Sequence, residues 1–339
     1  MEYRYIGKTG LRVTPICLGT MSFGSWSDEK ESFKIMDKSI DRGVNFFDTA
    51  EIYPVPPNAK DAGITEEIIG RWLKGKPRDK IILASKVAGA ANGWFVPPIR
   101  HGLTAIDKFH IKTAIEGSLK RLGTDYIDLY QMHWPDTVVP IEESLLAFDE
   151  LVKEGKVRYI GTSNDTAYGL TKANETSKRL NIARFESIQN NFSLNNPRFL
   201  DELSEVCKKE QISCLPYSPI AGGVLSGKYN GEFYPDNARF SDYLKSNSPR
   251  VKAMGNRFVN EKTLNTTAKY IKLAKEIGVS PVTLAVAYSK HFDFVASTII
   301  GARTAEQLDD SYKAFDLNLD KETMDAIKEI QSEIMYPMG

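Results

Sequence analysis

The sequence predicts an α/β protein of the (β/α)8 TIM-barrel class. Three observations carry that reading. Eight short apolar runs alternate with helix-period segments along nearly the whole chain. Chemically able polar residues stand at the C-terminal ends of several of those runs, where parallel barrels place their chemistry. No G-x-G-x-x-G follows the first run, as it usually does in a doubly wound sheet, the competing layout.

The elements follow in order. YRYI, a GKTG turn and LRV make an N-terminal β-hairpin. Runs rich in β-branched and aromatic residues then predict strands at 16–18, 45–48, 81–87, 127–132, 157–162, 185–189, 213–217 and 295–300. Helical patterns fall between them near 28–42, 64–74, 109–122, 141–154, 166–180, 197–209 and 261–290, the last interrupted at Gly278 and Pro281. A further helix starts near Thr304 and a C-terminal one near Asp320. The long irregular stretches are 52–63, 89–107 and 230–259, and in a barrel they would line the C-terminal mouth. No linker of domain length, low-complexity tract or repeat beyond the βα unit interrupts the chain, so residues 1–339 read as one barrel domain.

Composition narrows the function. The chain has 339 residues, 42% of them hydrophobic, with a formal net charge of zero. Such a chain can bury a sizeable core, and it has no basic excess to attract nucleic acid. Cys17, Cys207 and Cys214 form no C-x-x-C, and an odd count suits a reducing compartment. No apolar run approaches the roughly 18 residues of a membrane span, and MEYRYIGKTG has no secretory character. A cytoplasmic protein is expected. The four histidines lack ligand spacing, so no metal is expected.

Four polar residues stand at or just beyond strand ends: Asp48 in NFFD, Tyr53 in DTAEIY, Lys86 in IILASKV and His133 in DLYQMH. Alone, each has an ordinary explanation as a helix cap, a loop lysine or a core histidine. Together they suggest acid–base chemistry, because an Asp–Lys pair beside a phenol favours the phenolate and lowers its pKa. A phenol tuned down from about 10 can donate a proton near neutral pH, and His133 could orient a carbonyl oxygen. A Schiff-base enzyme with Lys86 as nucleophile is a competing reading.

A second motif is LPYSPIAGGVLSGKY, residues 215–229. Gly222 to Lys228 fits G-x-x-x-x-G-K, but Tyr229 stands where a nucleotide-triphosphate loop needs Ser or Thr. From the residues alone this is a defective P-loop, a structural glycine loop or a cradle for another phosphate.

GLRVTPICLGTMSFG, GVNFFDTAEIY, IILASKV, SLKRLGTDYIDLYQMHWPD, GKVRYIGTSN, IQNNFSL, LPYSPIAGGVLSGKY and IIGARTAEQL resemble the blocks of the aldo-keto reductases. DTAEIYPVPPNA is similar to the bacterial Tas-type NADP(H)-dependent reductases, relatives of the potassium-channel β-subunits. The resemblance implies a tetrad of Asp48, Tyr53, Lys86 and His133 with Tyr53 as general acid. It implies NADP(H) held at Thr20, Met21, Asp48, Ser163, Asn164, Gln189 and Tyr217. The pyrophosphate would lie on Ser218, Pro219, Ile220, Ala221, Gly222, Leu225, Gly227 and Lys228, and Arg239 would be a further cofactor contact. The adenosine end would lie on Gly301, Arg303, Gln307, Asp310 and Ser311, with Arg303 on the 2′-phosphate. Asp310 and Ser311 depart from the Glu-Asn common in the family. A mouth lined by Phe23, Tyr53, Trp94, His133 and Trp134 would take a small carbonyl substrate. The activity implied is NADPH-dependent carbonyl reduction; a cofactor-binding regulatory subunit with slow turnover is the alternative.

Overall fold

The computed structural model describes residues 2–89, 102, 104–231, 234–236 and 238–338. Eight strands run parallel in one sheet: β3 (Ile16–Gly19), β4 (Phe46–Asp48), β5 (Ile82–Val87), β6 (Ile127–Met132), β7 (Val157–Ser163), β8 (Phe185–Gln189), β9 (Ser213–Cys214) and β10 (Thr298–Ile300). They are hydrogen-bonded in chain order, with β10 returning beside β3. The seam between β9 and β10 is closed by Cys214 N to Phe294 O (2.8 Å), Ala296 N to Cys214 O (3.1 Å) and Ile299 N to Pro216 O (2.8 Å). The expected barrel is the observed one.

Alternation explains the core. Along each strand one face points inward and the next outward. Cys17, Phe46, Ala84, Leu129 and Leu215 fill the interior, while Ile16, Leu18, Phe47, Leu83 and Tyr130 pack against the helices. The hairpin of β1 (Arg4–Tyr5) and β2 (Arg12–Val13) sends Ile6 and Val13 into the interior cluster. Ser213 Oγ, at the start of β9, accepts from Gly7 N (2.9 Å), and Arg4 donates to the carbonyls of Lys290 and Val295. The hairpin therefore plugs the end opposite the site.

The outer ring comprises α1 (Glu29–Asp41), α2 (Ile64–Leu73), α3 (Lys108–Leu122), α4 (Ile141–Lys153), α5 (Ala167–Leu180) and α6 (Leu203–Glu210). Local chemistry starts them: Asp28, Asp107 and Thr166 each accept a first-turn backbone N–H at α1, α3 and α5.

The stretch 230–259 is a correction. It holds two helices, α7 (Arg239–Lys245) and α8 (Pro249–Phe258), where an irregular loop is expected. Both are short, and α8 carries a start signal, Ser248 as cap with Pro249 in the first turn. The helix expected over 261–290 is two, α9 (Glu261–Glu276) and α10 (Pro281–Lys290), broken as expected at Gly278 and Pro281. The chain ends with α11 (Asp309–Lys313) and α12 (Lys321–Glu333). Among the described residues, no helix is long and apolar enough to cross a membrane.

Candidate active site

Strand register brings the polar residues together. Asp48 pairs with Gly19 and Ala84, Lys86 with Gln131, and Ser163 with Gln189. All stand at or near the C-terminal ends of their strands, so their side chains converge on one mouth.

At the centre is Lys86, wholly buried, with Asp48 2% exposed beside it. Lys86 Nζ donates to Asp48 Oδ1 at 2.5 Å and Thr49 O at 2.8 Å, and lies 3.5 Å from the Tyr53 hydroxyl. The other carboxylate oxygen accepts from Gln189 Nε2 (2.8 Å) and Gln131 Nε2 (3.1 Å). Asp48 is thus held from both sides, as a buried charge requires. Burial alone would lower the Lys86 pKa. The attraction of Asp48, supported by Tyr53, outweighs it, and Lys86 stays a cation above its ordinary range.

Tyr53 differs from the expectation. Burial pushes its phenol above the ordinary value, Lys86 offsets part of that rise, and Asp48 adds to it. The lysine lowers the phenol only relative to where burial would leave it. The consequence is a phenol that is protonated through neutral pH, the state a proton donor needs. His133 stands edge-on to Tyr53 (centroids 5.8 Å, 80°) and stacks on Trp134 (3.9 Å, 9°). Burial, reinforced by Lys86, holds His133 well below its usual pKa, so its imidazole is neutral and can donate to an oxygen.

Beside this group a second network forms. Tyr217 Oη donates to Asn164 Oδ1 (2.7 Å), Asn164 Nδ2 to His133 O (3.0 Å) and Ser163 Oγ to Gln189 O (2.8 Å). Asn164 adopts φ +57°, a left-handed conformation that asparagine tolerates. Thr20 Oγ1 donates to Asp48 O (2.9 Å), and Met21 O accepts from Val55 N (2.9 Å).

The glycine loop is a backbone cradle. Ser218, Ala221, Gly222, Gly223 and Gly227 all have positive φ. A Cβ on Gly222 would lie 2.6 Å from the Phe240 ring, and one on Gly223 2.9 Å from the end of Lys228. Tyr229 is fully buried and accepts from Phe240 N, so it is a core residue and no damaged Mg²⁺ ligand. Leu225 also packs in the core, and its N–H donates to Ile220 O (3.2 Å). Gly222→Ala is expected to destabilise the protein by about 1–2 kcal/mol, the left-handed cost for a residue with Cβ, with the ring collision added. Chemical denaturation measures this; an unchanged midpoint would mean that Phe240 yields freely.

Cations gather next to the cradle. Arg303 lies over the Trp26 ring at 4.5 Å and Arg239 over the same ring at 5.6 Å. Burial, then Arg303, lowers the Lys228 pKa, which places Lys228 in the same positive field. Ser22 Oγ and Ser27 Oγ bond the carbonyls of Ala302 and Arg303, tying the first βα loop to the last. Gln307 accepts from Arg303 N (2.9 Å). Gly301 is exposed, and a Cβ there would lie 3.5 Å from Gly19 O. The structure engages Asp310 with Lys313 on α11 and buries Ser311. Pro219 and Ile220 complete the loop between Tyr217 and the glycines.

Phe23, expected at the substrate wall, is wholly buried in the main core, with its carbonyl accepting from Thr65. The alternation of a strand end is lost in the loop after β3, so its direction could not be read from spacing. Trp94, also expected at the wall, lies outside the described residues. Alternation along the strand puts Gln131 on the face of His133, and Trp26 reads as a mouth aromatic, but spacing shows neither the Gln131 bond to Asp48 nor the place of Trp26 beside two arginines. Among the described residues no cluster of three His, Cys, Asp or Glu side chains could hold a metal.

A parallel barrel with a buried Asp–Lys pair beside a half-buried tyrosine and a neutral histidine at its mouth, next to a glycine loop rich in cations, has the make-up of a carbonyl oxidoreductase. The model of the aldo/keto reductase family matches residues 15–332, and the chain belongs to that family. It is similar to Protein tas of Escherichia coli (strain K12), 34% identical with 99% of each chain covered. It is 37% identical to the uncharacterized oxidoreductase YrpG of Bacillus subtilis (strain 168), over 97% of this chain and 96% of that one. A probable voltage-gated potassium channel subunit beta of Oryza sativa subsp. japonica is 31% identical over 94% and 92%. Oxidoreductase chemistry on carbonyl compounds follows from the family.

Proposed function

We propose that the protein reduces aldehydes or ketones with NADPH and that Tyr53 is the proton donor. The observation that carries this is the placement of the buried Lys86 ammonium between Asp48 Oδ1 (2.5 Å) and the Tyr53 hydroxyl (3.5 Å). Residues suited to a dinucleotide surround it. The loop turns through left-handed backbone at Ser218, Ala221, Gly222, Gly223 and Gly227, and its glycines would let an anion approach the main chain closely. Arg239 Nε is buried with no hydrogen-bond partner among the described residues, as a group awaiting an anion would be. Ser163, Asn164 and Gln189 would hold the carboxamide, Tyr217 the ring, and Thr20 and Met21 the adjoining edge. A nicotinamide held there would supply the hydride for the carbonyl carbon. Neutral His133 then orients the carbonyl oxygen and Tyr53 donates its proton to it, while Lys86 stabilises the phenolate left behind. Trp134 is the described aromatic wall for the substrate. Turnover of an aryl aldehyde with NADPH tests the reading.

Cofactor choice is assigned to Arg303. A bidentate arginine–phosphate contact adds about 1.5–3 kcal/mol. Arg303→Ala is therefore expected to weaken NADPH by about tenfold to a hundredfold and NADH little, with the difference shrinking as salt screens it. Fluorescence titration of both cofactors measures it. Equal weakening of the two would show that Arg303 does not read the 2′-phosphate.

The regulatory-subunit reading is favoured by the names of relatives such as the rice protein. The complete Asp48, Tyr53, Lys86 and His133 set supports the enzyme.

A further inference from the structure

Behind the proposed catalytic residues lies a second buried acid–base pair that the proton transfer does not use. Glu51 follows β4 and is 9% exposed; His110 lies in the first turn of α3 and is 1% exposed. Both grip the backbone of Ala88, the first residue beyond β5. Ala88 N donates to Glu51 Oε1 at 2.6 Å, and His110 Nε2 lies 2.7 Å from Ala88 O. A carbonyl only accepts, so that nitrogen carries the hydrogen. Glu51 Oε1 is itself 3.6 Å from His110 Nε2. Glu51 N also donates to Lys86 O (3.3 Å), so Glu51 fastens the chain on both sides of Val87.

This point of the chain adjoins three members of the tetrad. Lys86 is two residues before Ala88. His133 N donates to Val87 O at 3.0 Å. Ala88 packs with Ala50 and Ile52, against Tyr53 and Trp134. The strand ladder ends at Val87, so the N–H and C=O of Ala88 must be satisfied by something else.

We propose that Glu51 and His110 are positioning residues, which clamp Ala88 and so set the spacing between the Lys86 ammonium and the Tyr53 hydroxyl. The inference rests on the reductase reading. At 3.5 Å that contact is at the outer limit of a hydrogen bond, so a small shift of the strand end changes it steeply. Glu51 is faced by Arg121 and His110, with Tyr130 nearby; Asp107 also acts on His110. Tyr53 is faced by Lys86, Asp48 and Arg239.

The test uses the full chain with Glu51→Ala, His110→Ala, Glu51→Gln and His110→Gln. The alanine variants are expected to lower kcat by about tenfold to a hundredfold, the scale of a small misplacement of reacting groups. NADPH affinity stays at the wild-type value. The rise of alcohol oxidation with pH, which follows formation of the phenolate, moves to higher pH because Lys86 stabilises that phenolate less. In Glu51→Gln the side-chain carbonyl would still accept from Ala88 N, and in His110→Gln the amide would still donate to Ala88 O. Both glutamine variants therefore return most of kcat and of the profile. If the alanine variants do not fold, Glu51→Asp, which withdraws the carboxylate by one methylene, is expected to show the same fall and shift. Alanine or aspartate variants with a wild-type profile, or glutamine variants no better than alanine, overturn the inference alone. A wild-type protein without turnover overturns it together with the reductase reading.

Discussion

Tyr53→Phe is expected to lower kcat for carbonyl reduction by about 10²–10⁴-fold, the range of general acid catalysis, with NADPH binding intact. The change removes one oxygen. The ring keeps its edge contact with His133 and its place 5.0 Å from the Lys86 ammonium. The hydrogen bond lost among the described residues is the long one to Lys86, so the fold is little affected. What goes is a proton held on a phenol whose pKa burial has raised. Because that pKa lies above the ordinary phenol value, the wild-type side chain is protonated at neutral pH, and reduction should hold its rate into mildly alkaline solution. Oxidation of the alcohol needs the phenolate and should rise with pH over the same range. Steady-state kinetics and NADPH fluorescence on the variant separate catalysis from binding. A variant with most of its activity would remove Tyr53 from the proton transfer.

Lys86→Met has two consequences, on stability and on chemistry. It leaves Asp48 buried with Gln131 and Gln189 as donors but without a cation. Breaking a buried pair from one side costs about 3–5 kcal/mol, read as a lower denaturation midpoint. It also removes the group that lowers the Tyr53 pKa, so residual alcohol oxidation should require more alkaline solution. Asp48→Asn in the same chain removes the stranded charge. The double variant should regain much of the stability and none of the activity. Recovery of both would mean that the pair serves folding alone, and an unchanged pH profile in the single variant would mean that Lys86 does not act on the phenol.

The barrel was legible because its signals are local. The runs at 127–132 and 185–189 are strands over those residues; Asp48 ends its strand, Lys86 lies one residue before the end of its own, and His133 follows its strand. Short-range signals failed where tertiary contacts decide. The run 213–217 forms a ladder only at Ser213–Cys214, since Pro216 has no N–H to give and Tyr217 joins by isolated bridges. The helices α7 and α8 are short and pack on the cradle through Phe240, Tyr243 and Phe258, and only the Ser248–Pro249 start announces either of them. The direction of Phe23 depends on how its loop turns. The net pKa of Tyr53 depends on burial, which spacing does not report. The clamp on Ala88 joins residues 51, 88 and 110, which lie far apart in the chain and meet only once α3 packs beside β5.

The central claim is NADPH-dependent reduction at the Tyr53 site, and the most direct measurement is turnover of 4-nitrobenzaldehyde by the wild-type protein. NADPH absorbance and alcohol product are followed together, with NADPH and NADH compared. The account predicts many turnovers, one alcohol formed for each NADPH consumed, and a preference for NADPH over NADH. NADPH bound tightly with no alcohol formed, across aryl and alkyl aldehydes alike, would contradict it and leave a cofactor-binding protein in its place.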